Sequence, residues 1–365
     1  MREFFKKQGV VPSWRTYFVT AMGAMAQGLF CTLLVGTILN TIGQQFGIGF
    51  LTKTLVTIKQ GAQTIDCTLG GLVSLTVGAG ISVAIGVSLK APPLVLFSLI
   101  PVGFAANALG GAGGPLAVYF VAIIACECGK LVSKTTKIDI LVTPIVTALV
   151  GIGLSWLIAA PIGTAAAAVG EAVKWATAQQ PFLMGILVSV IIGVALTLPI
   201  SSAAICAALG LTGLAGGAAV AGCCAQMVGF AVMSFRENRW GGLVAQGIGT
   251  SMLQMPNIVK NPRIWIPPTL VSAITGPLAT CLFKMEMNGT AVSAGMGTCG
   301  FVGQIGVYSG WVNDIANGTK AAITAMDWVG LVMICFVLPA VLTPLLGALL
   351  RKLGWIREGD LKLEL

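Results

Sequence analysis

The side chains able to do chemistry are few, and one stretch gathers most of them. The main ionisable groups set in apolar surroundings are Asp66, Lys90, Glu127 and Glu286. A charged group at the centre of a membrane span costs roughly 2.5–3.5 kcal/mol on insertion scales, so it is expected to be paired or functional. Glu127 stands three residues before Lys130, which reads as an ion pair near the membrane surface. Glu286 follows Lys284, has Asn288 beside it and leads into the run AGMGTCGFVGQIG at 294–306. A carboxylate next to an amide can both accept and donate hydrogen bonds, which suits a hydroxylated solute.

The run itself carries Gly295, Gly297, Gly300, Gly303 and Gly306, with Thr298 and Gln304 between them. Each glycine disfavours a helix by about 1 kcal/mol relative to alanine, so 288–311 is expected to be broken. Two readings follow: close helix packing, or backbone lining a substrate. A second break is expected at LPISS, 198–202, where Pro199 frees a carbonyl and Ser201 and Ser202 can satisfy backbone groups. The expected binding set is Glu286, Asn288, Gly295, Gly297, Thr298 and Gln304, faced by Ser201 and Ser202, with Gln226 as a further amide. Asn107, Gln246, Gln254 and Asn257 are also amides in apolar context. Trp311 and Tyr308 could stack on a sugar or anchor at the headgroups. Trp14, Trp175, Trp240, Trp265, Trp328 and Trp355 read as anchors near span ends.

Other chemistry is missing from the sequence. There is no histidine, and the ten cysteines form no CxxC pair, so no metal site and no cofactor are expected. The cysteines read as small membrane-buried side chains. No Walker A sequence and no nucleophile–base pair can be assembled, so no catalytic residues are assigned.

The elements that hold these residues must be membrane helices. Of 365 residues, 56% are hydrophobic and 9% charged, against about 25% charged in soluble domains. Mean hydropathy is +0.94. This excludes a soluble enzyme, a disordered chain and a nucleic-acid-binding domain. Unbroken apolar runs also exclude a transmembrane barrel, whose strands alternate. The fold class is an all-α polytopic membrane protein. About ten spans are expected: 17–42, 67–89, 92–109, 115–132, 140–160, 182–198, 200–216, 217–235, 264–283 and 328–350, with 92–109 and 200–216 read as possible half-spans. The stretches 240–256 and 288–311 read as re-entrant hairpins or broken helices. Residues 47–65 and 165–180 read as amphipathic helices in the headgroup plane.

The net charge of +9 concentrates in flanks and loops, as the positive-inside rule requires, and places both termini in the cytoplasm. VTPIVTALVG at 142–151 echoes PPTLVSAITG at 267–276, and LGGAGGPLAV from Leu109 echoes TGLAGGAAV from Thr212. The chain is therefore read as one membrane domain, 1–365, with internal repeats at about 15–135 and 138–260 and a partial third unit at 262–350. Parallel and inverted arrangements both remain open.

Residues 254–306, from QMPNIVKNPRIWIPPTLVSAITGPLAT to MEMNGTAVSAGMGTCGFVGQIG, together with LPISSAAI at 198–205, resemble the membrane subunit IIC of bacterial sugar phosphotransferase systems. The likeness is strongest to a stand-alone branch that includes perfringolysin regulator-like proteins. It implies a homodimeric sugar transporter of the bacterial inner membrane, with re-entrant hairpins and an elevator-like movement. Many members use a histidine with a glutamate in the sugar site; this chain can offer only the glutamate. No IIA or IIB domain lies within the 365 residues, so separate IIA and IIB partners are implied. A solute sensor without transport and an ion-driven carrier are the competing functions.

Overall fold

The computed structural model describes residues 5, 8–10, 12–60 and 63–363. Packing divides the chain into two compact units, up to Ala166 and from Ala167. That boundary falls inside the stretch read as the second repeat. Among the described residues, six helical stretches are long and apolar enough to cross a bilayer, or seven if one bent pair counts as a span.

In the first unit, α1 (Thr16–Gln45) is followed by α2 (Gly49–Thr52) and a two-stranded antiparallel hairpin, β1 (Val56–Gln60) and β2 (Gln63–Cys67). This corrects the headgroup helix expected over 47–65. The run is rich in β-branched residues, and Thr57 lies opposite Asp66, donating to its carboxylate over 2.6 Å. Cross-strand bonding of this kind favours pleated over helical backbone. The bent pair α3 (Leu69–Leu75) and α4 (Val77–Ser88) then turns by 50°.

Next come α5 (Pro93–Gly110) and α6 (Gly114–Val132). They double back at Gly111, whose φ is +51°. Val95 lies beside Gly129, and Lys130 Nζ donates to the Leu89 carbonyl over 3.0 Å. The 40-residue stretch that passes as one apolar span is thus two antiparallel arms of 18 and 19 residues. Helix α7 (Asp139–Thr177) runs unbroken for 39 residues. The separate headgroup helix expected over 165–180 is therefore mostly the continuation of α7. Ile145, Leu149 and Trp156 on α7 stay exposed within the chain, an apolar surface suited to lipid.

The second unit is built around α10 (Gly213–Met233), 89% of whose most apolar window is buried. Around it stand α8 (Pro181–Thr197), α13 (Pro262–Leu282) and α16 (Ala325–Lys352). Between these come shorter pieces: α9 (Ser202–Leu209), α11 (Phe235–Val244), α12 (Met255–Lys260), α14 (Ala291–Ala294) and α15 (Val302–Ala316). The segment 200–216 is not a span. Ser201 caps α9 by accepting from the Ala204 amide, and Gly210 at φ +58° ends it after eight residues.

One packing device occurs in both units. Ser82 on α4 donates to the Leu99 carbonyl over 2.8 Å, and Gly78 meets Gly103 on α5. Ser189 on α8 donates to the Ser272 carbonyl over 2.7 Å, and Gly185 meets Gly276 on α13. In each, a glycine and a serine four residues apart press on an antiparallel partner whose own glycine lies four residues from the accepting carbonyl. Backbones approach where no Cβ intervenes, and a hydroxyl bonds across the gap.

Candidate functional site

The site is assembled on the second unit where the 284–290 segment meets the end of α15. Glycines on α15 explain why this segment can lie there. Gly303, Gly306 and Gly310 lie on one helix face, and they abut Gly297, Gly289 and Asn288 respectively. A Cβ at Gly310 would come within 2.7 Å of the Asn288 amide nitrogen. Met287 is pinned from the other side by paired backbone bonds with Gly213, each 3.0 Å.

With its backbone fixed, Asn288 becomes the organiser of a polar cluster. Its Oδ1 accepts from the Gly213 amide at 3.0 Å. Its Nδ2 donates to Glu286 Oε2 at 3.1 Å and to Asp314 Oδ2 at 2.9 Å. Two carboxylates thus converge on one amide. They line a pocket of about 370 Å³ with Trp311, Thr319, Lys284 and Lys320. Lys320 pairs with Asp327 at 2.9 Å and stands 5.9 Å from the centre of the Trp311 ring. Trp311 packs edge-on against Trp328. Acceptors, donors and an aromatic side chain lining one cavity are the usual furniture of a site for a small polyhydroxylated molecule.

The other expected residues lie elsewhere. Gly295, Gly297, Thr298, Gln304 and Ser202 form a second, buried cluster. Ser202 Oγ donates to the Gly295 carbonyl over 2.7 Å, which joins the start of α9 to the broken loop after α14. The loop is irregular as expected: Gly297, Gly300 and Phe301 all have positive φ before α15 begins. Thr298 Oγ1 lies 3.6 Å from Met227 Sδ, Gln304 Nε2 lies 3.2 Å from Cys224 Sγ, and Gln304 Oε1 is buried without a partner. None of these lines the pocket. Ser201 is occupied as a helix cap.

Gln226 belongs to a third place. Its Oε1 accepts from Thr197 at 3.3 Å and from the Trp265 indole at 3.0 Å, and its Nε2 donates to Thr269 at 3.3 Å. Trp265 therefore does more than anchor at a surface. Gln246, Gln254 and Asn257 are engaged too: Gln254 and Asn257 donate to the carbonyls of Leu361 and Lys362. Asp314, Thr319 and Lys320 were not singled out by the sequence reading. Their signal was the polar run NDIANGTK at 313–320, which closes a helix between two apolar stretches. In the first unit, Glu127 and Lys130 pair at 3.1 Å as the sequence suggests, with Lys130 only 3% exposed. No cluster of metal-ligating side chains occurs among the described residues.

The family described as "Phosphotransferase system, EIIC" matches residues 19–363. The chain belongs to this family. As an EIIC protein it is a multi-pass membrane component of sugar transport, all-α in class. No curated protein and no solved structure matches it. In this EIIC protein the pocket around Asn288 and the buried loop 295–301 are polar and irregular in backbone.

Proposed function

We propose that this EIIC protein binds a sugar or similar small polar solute in the pocket around Glu286, Asn288 and Asp314 and carries it across the bacterial cytoplasmic membrane, as a homodimer with both termini in the cytoplasm. The observation that supports this is the convergence of two carboxylates on one amide beside Trp311. Glu286 and Asp314 would accept solute hydroxyls, and Asn288 would hold both acids in register. The buried loop 295–301, joined to Ser202 and flanked by Gln304 on α15, would act as the support behind the pocket. The 365 residues contain no histidine, so in this reading a phosphoryl group would come from IIA and IIB components outside them.

The test is a thermal-stability screen of the detergent-purified protein against sugars and polar metabolites. A ligand that binds only the folded state raises stability by about 2.7 kcal/mol at a hundred times its Kd. The stabilising compound should lose about tenfold or more in affinity with Glu286→Gln or Asp314→Asn, since a charge-assisted bond contributes ~1.5–3 kcal/mol. If both variants bind it as the parent does, the pocket is not the site.

A further inference from the structure

A second cavity, of about 390 Å³, opens between α10 and α16. The two helices are parallel: Gly229 abuts Thr343, and Met233 abuts Gly347 one turn further along both. Their polar ends therefore share one level, and each contributes an arginine there. Arg236 lies in the first turn of α11, three residues past the end of α10, and Arg351 lies in the last turn of α16; both line the cavity. The rest of the wall is apolar, including Val232, Val341 and Leu345, and the last two are 49% and 61% exposed.

Arg351 is committed in part, donating one N–H to Glu237 over 3.0 Å. A guanidinium has five N–H donors, so most remain free. Arg236 is exposed and pairs with no carboxylate among the described residues. The charges at this end of the cavity sum to a positive excess even with Glu237 counted.

We infer that this groove binds one anionic phospholipid, its phosphodiester held between Arg236 and Arg351 and an acyl chain lying along Val341 and Leu345. Guanidinium groups match phosphate oxygens in pairs. Basic pockets between membrane helices suit such headgroups, and the exposed valine and leucine continue the apolar wall outward to where acyl chains lie. A soluble phosphate would use the arginines and leave the apolar wall in contact with water. The lipid satisfies both halves at once.

The test uses the full chain in detergent, titrated with phosphatidylglycerol, phosphatidylcholine or inorganic phosphate, with bound lipid counted by native mass spectrometry and melting temperature read in parallel. Phosphatidylglycerol should bind saturably and raise the melting temperature, and phosphatidylcholine should bind at least tenfold more weakly. Arg236→Gln, at an exposed unpaired side chain, should cost about tenfold in phosphatidylglycerol affinity. Leu345→Trp should also reduce it, by filling the apolar wall while leaving both arginines in place. Equal binding of the two lipids, or parent-like affinity in Arg236→Gln, overturns the assignment. Stabilisation by inorganic phosphate that is lost in Arg236→Gln but kept in Leu345→Trp would reassign the groove to a soluble anion.

Discussion

Replacing Asn288 by aspartate tests the pocket's organisation with almost no change in shape. The parent amide donates to Glu286 at 3.1 Å and Asp314 at 2.9 Å while accepting from Gly213. An ionised aspartate keeps the last contact and loses both donors. Each lost bond goes to a charged acceptor, worth about 1.5–3 kcal/mol when shielded from water. Glu286 is exposed and the other two half-buried, so the lower end applies, further discounted for solvent. The new charge also faces two like charges, at about 1 kcal/mol each for ~4 Å in a water-like dielectric. Together these give a loss of about 2–4 kcal/mol. For a unit of this size, 1 kcal/mol shifts the melting temperature by about 2–4 °C. The variant should therefore melt at least ~4 °C below the parent at pH 7. Asn288→Ala, which loses the bonds without adding charge, should fall between them. The deficit of the aspartate variant should shrink as pH drops through the ordinary carboxylate range, because a protonated acid again offers a donor. A variant that melts with the parent at pH 7 and shows no pH dependence of the difference would refute the idea that Asn288 holds the two acids together.

Further outcomes are expected. Gly295→Ala would place a Cβ 2.6 Å from the Ser202 carbonyl oxygen and 2.8 Å from the Ala203 amide nitrogen; both are backbone, so the change should destabilise by about 1–3 kcal/mol in a denaturation series, while Ser202→Ala should cost only about 1 kcal/mol. Ser82→Ala and Ser189→Ala should each cost about 0.6 kcal/mol, and Gly276→Leu far more, measured as loss of folded protein on size exclusion. Gln226→Leu leaves the Trp265 indole and two hydroxyls short of a partner, so it should destabilise the protein without changing the affinity of a ligand bound around Asn288. A ligand affinity that falls with Gln226→Leu would instead place Gln226 in the site.

The irregular course of 291–301 was legible because glycines crowd it, although glycine density alone does not decide: α10 carries five glycines and is helical throughout. Ser202 was legible as a residue facing that loop, but its hydroxyl is spent on the Gly295 carbonyl. The position of Gln226 was not legible. On α10, Cys223 and Met227 meet the glycine loop and Cys224 meets Gln304 on α15, while Gln226 meets α8 and the start of α13. Angular position on a helix decides the neighbours, and an apolar helix buried all round carries no stripe to fix it. Asp314 and Lys320 were missed because charges in a short polar linker look solvated in sequence. Only the fold shows that the linker closes over Trp311. The hairpin at 56–67 was misread as a helix because three or four apolar residues per ten satisfy either period in a short run.

The amides that fasten segment 355–363 also set a timetable. Asn238, Gln254 and Asn257 bond to backbone atoms of Leu361, Lys362 and Leu363, across sequence separations of 105 to 125 residues. Gln254 is wholly buried and Asn257 nearly so. At about 5–20 residues per second, these groups are made some five to twenty-five seconds before their partners exist. Until then they must hold water or one another in a region that will close. A chain lacking Leu361–Leu363 would leave those amides without these backbone partners. Because the bonds go to the backbone, the segment's side chains are free to vary where they do not pack, while the amides that wait for it are not.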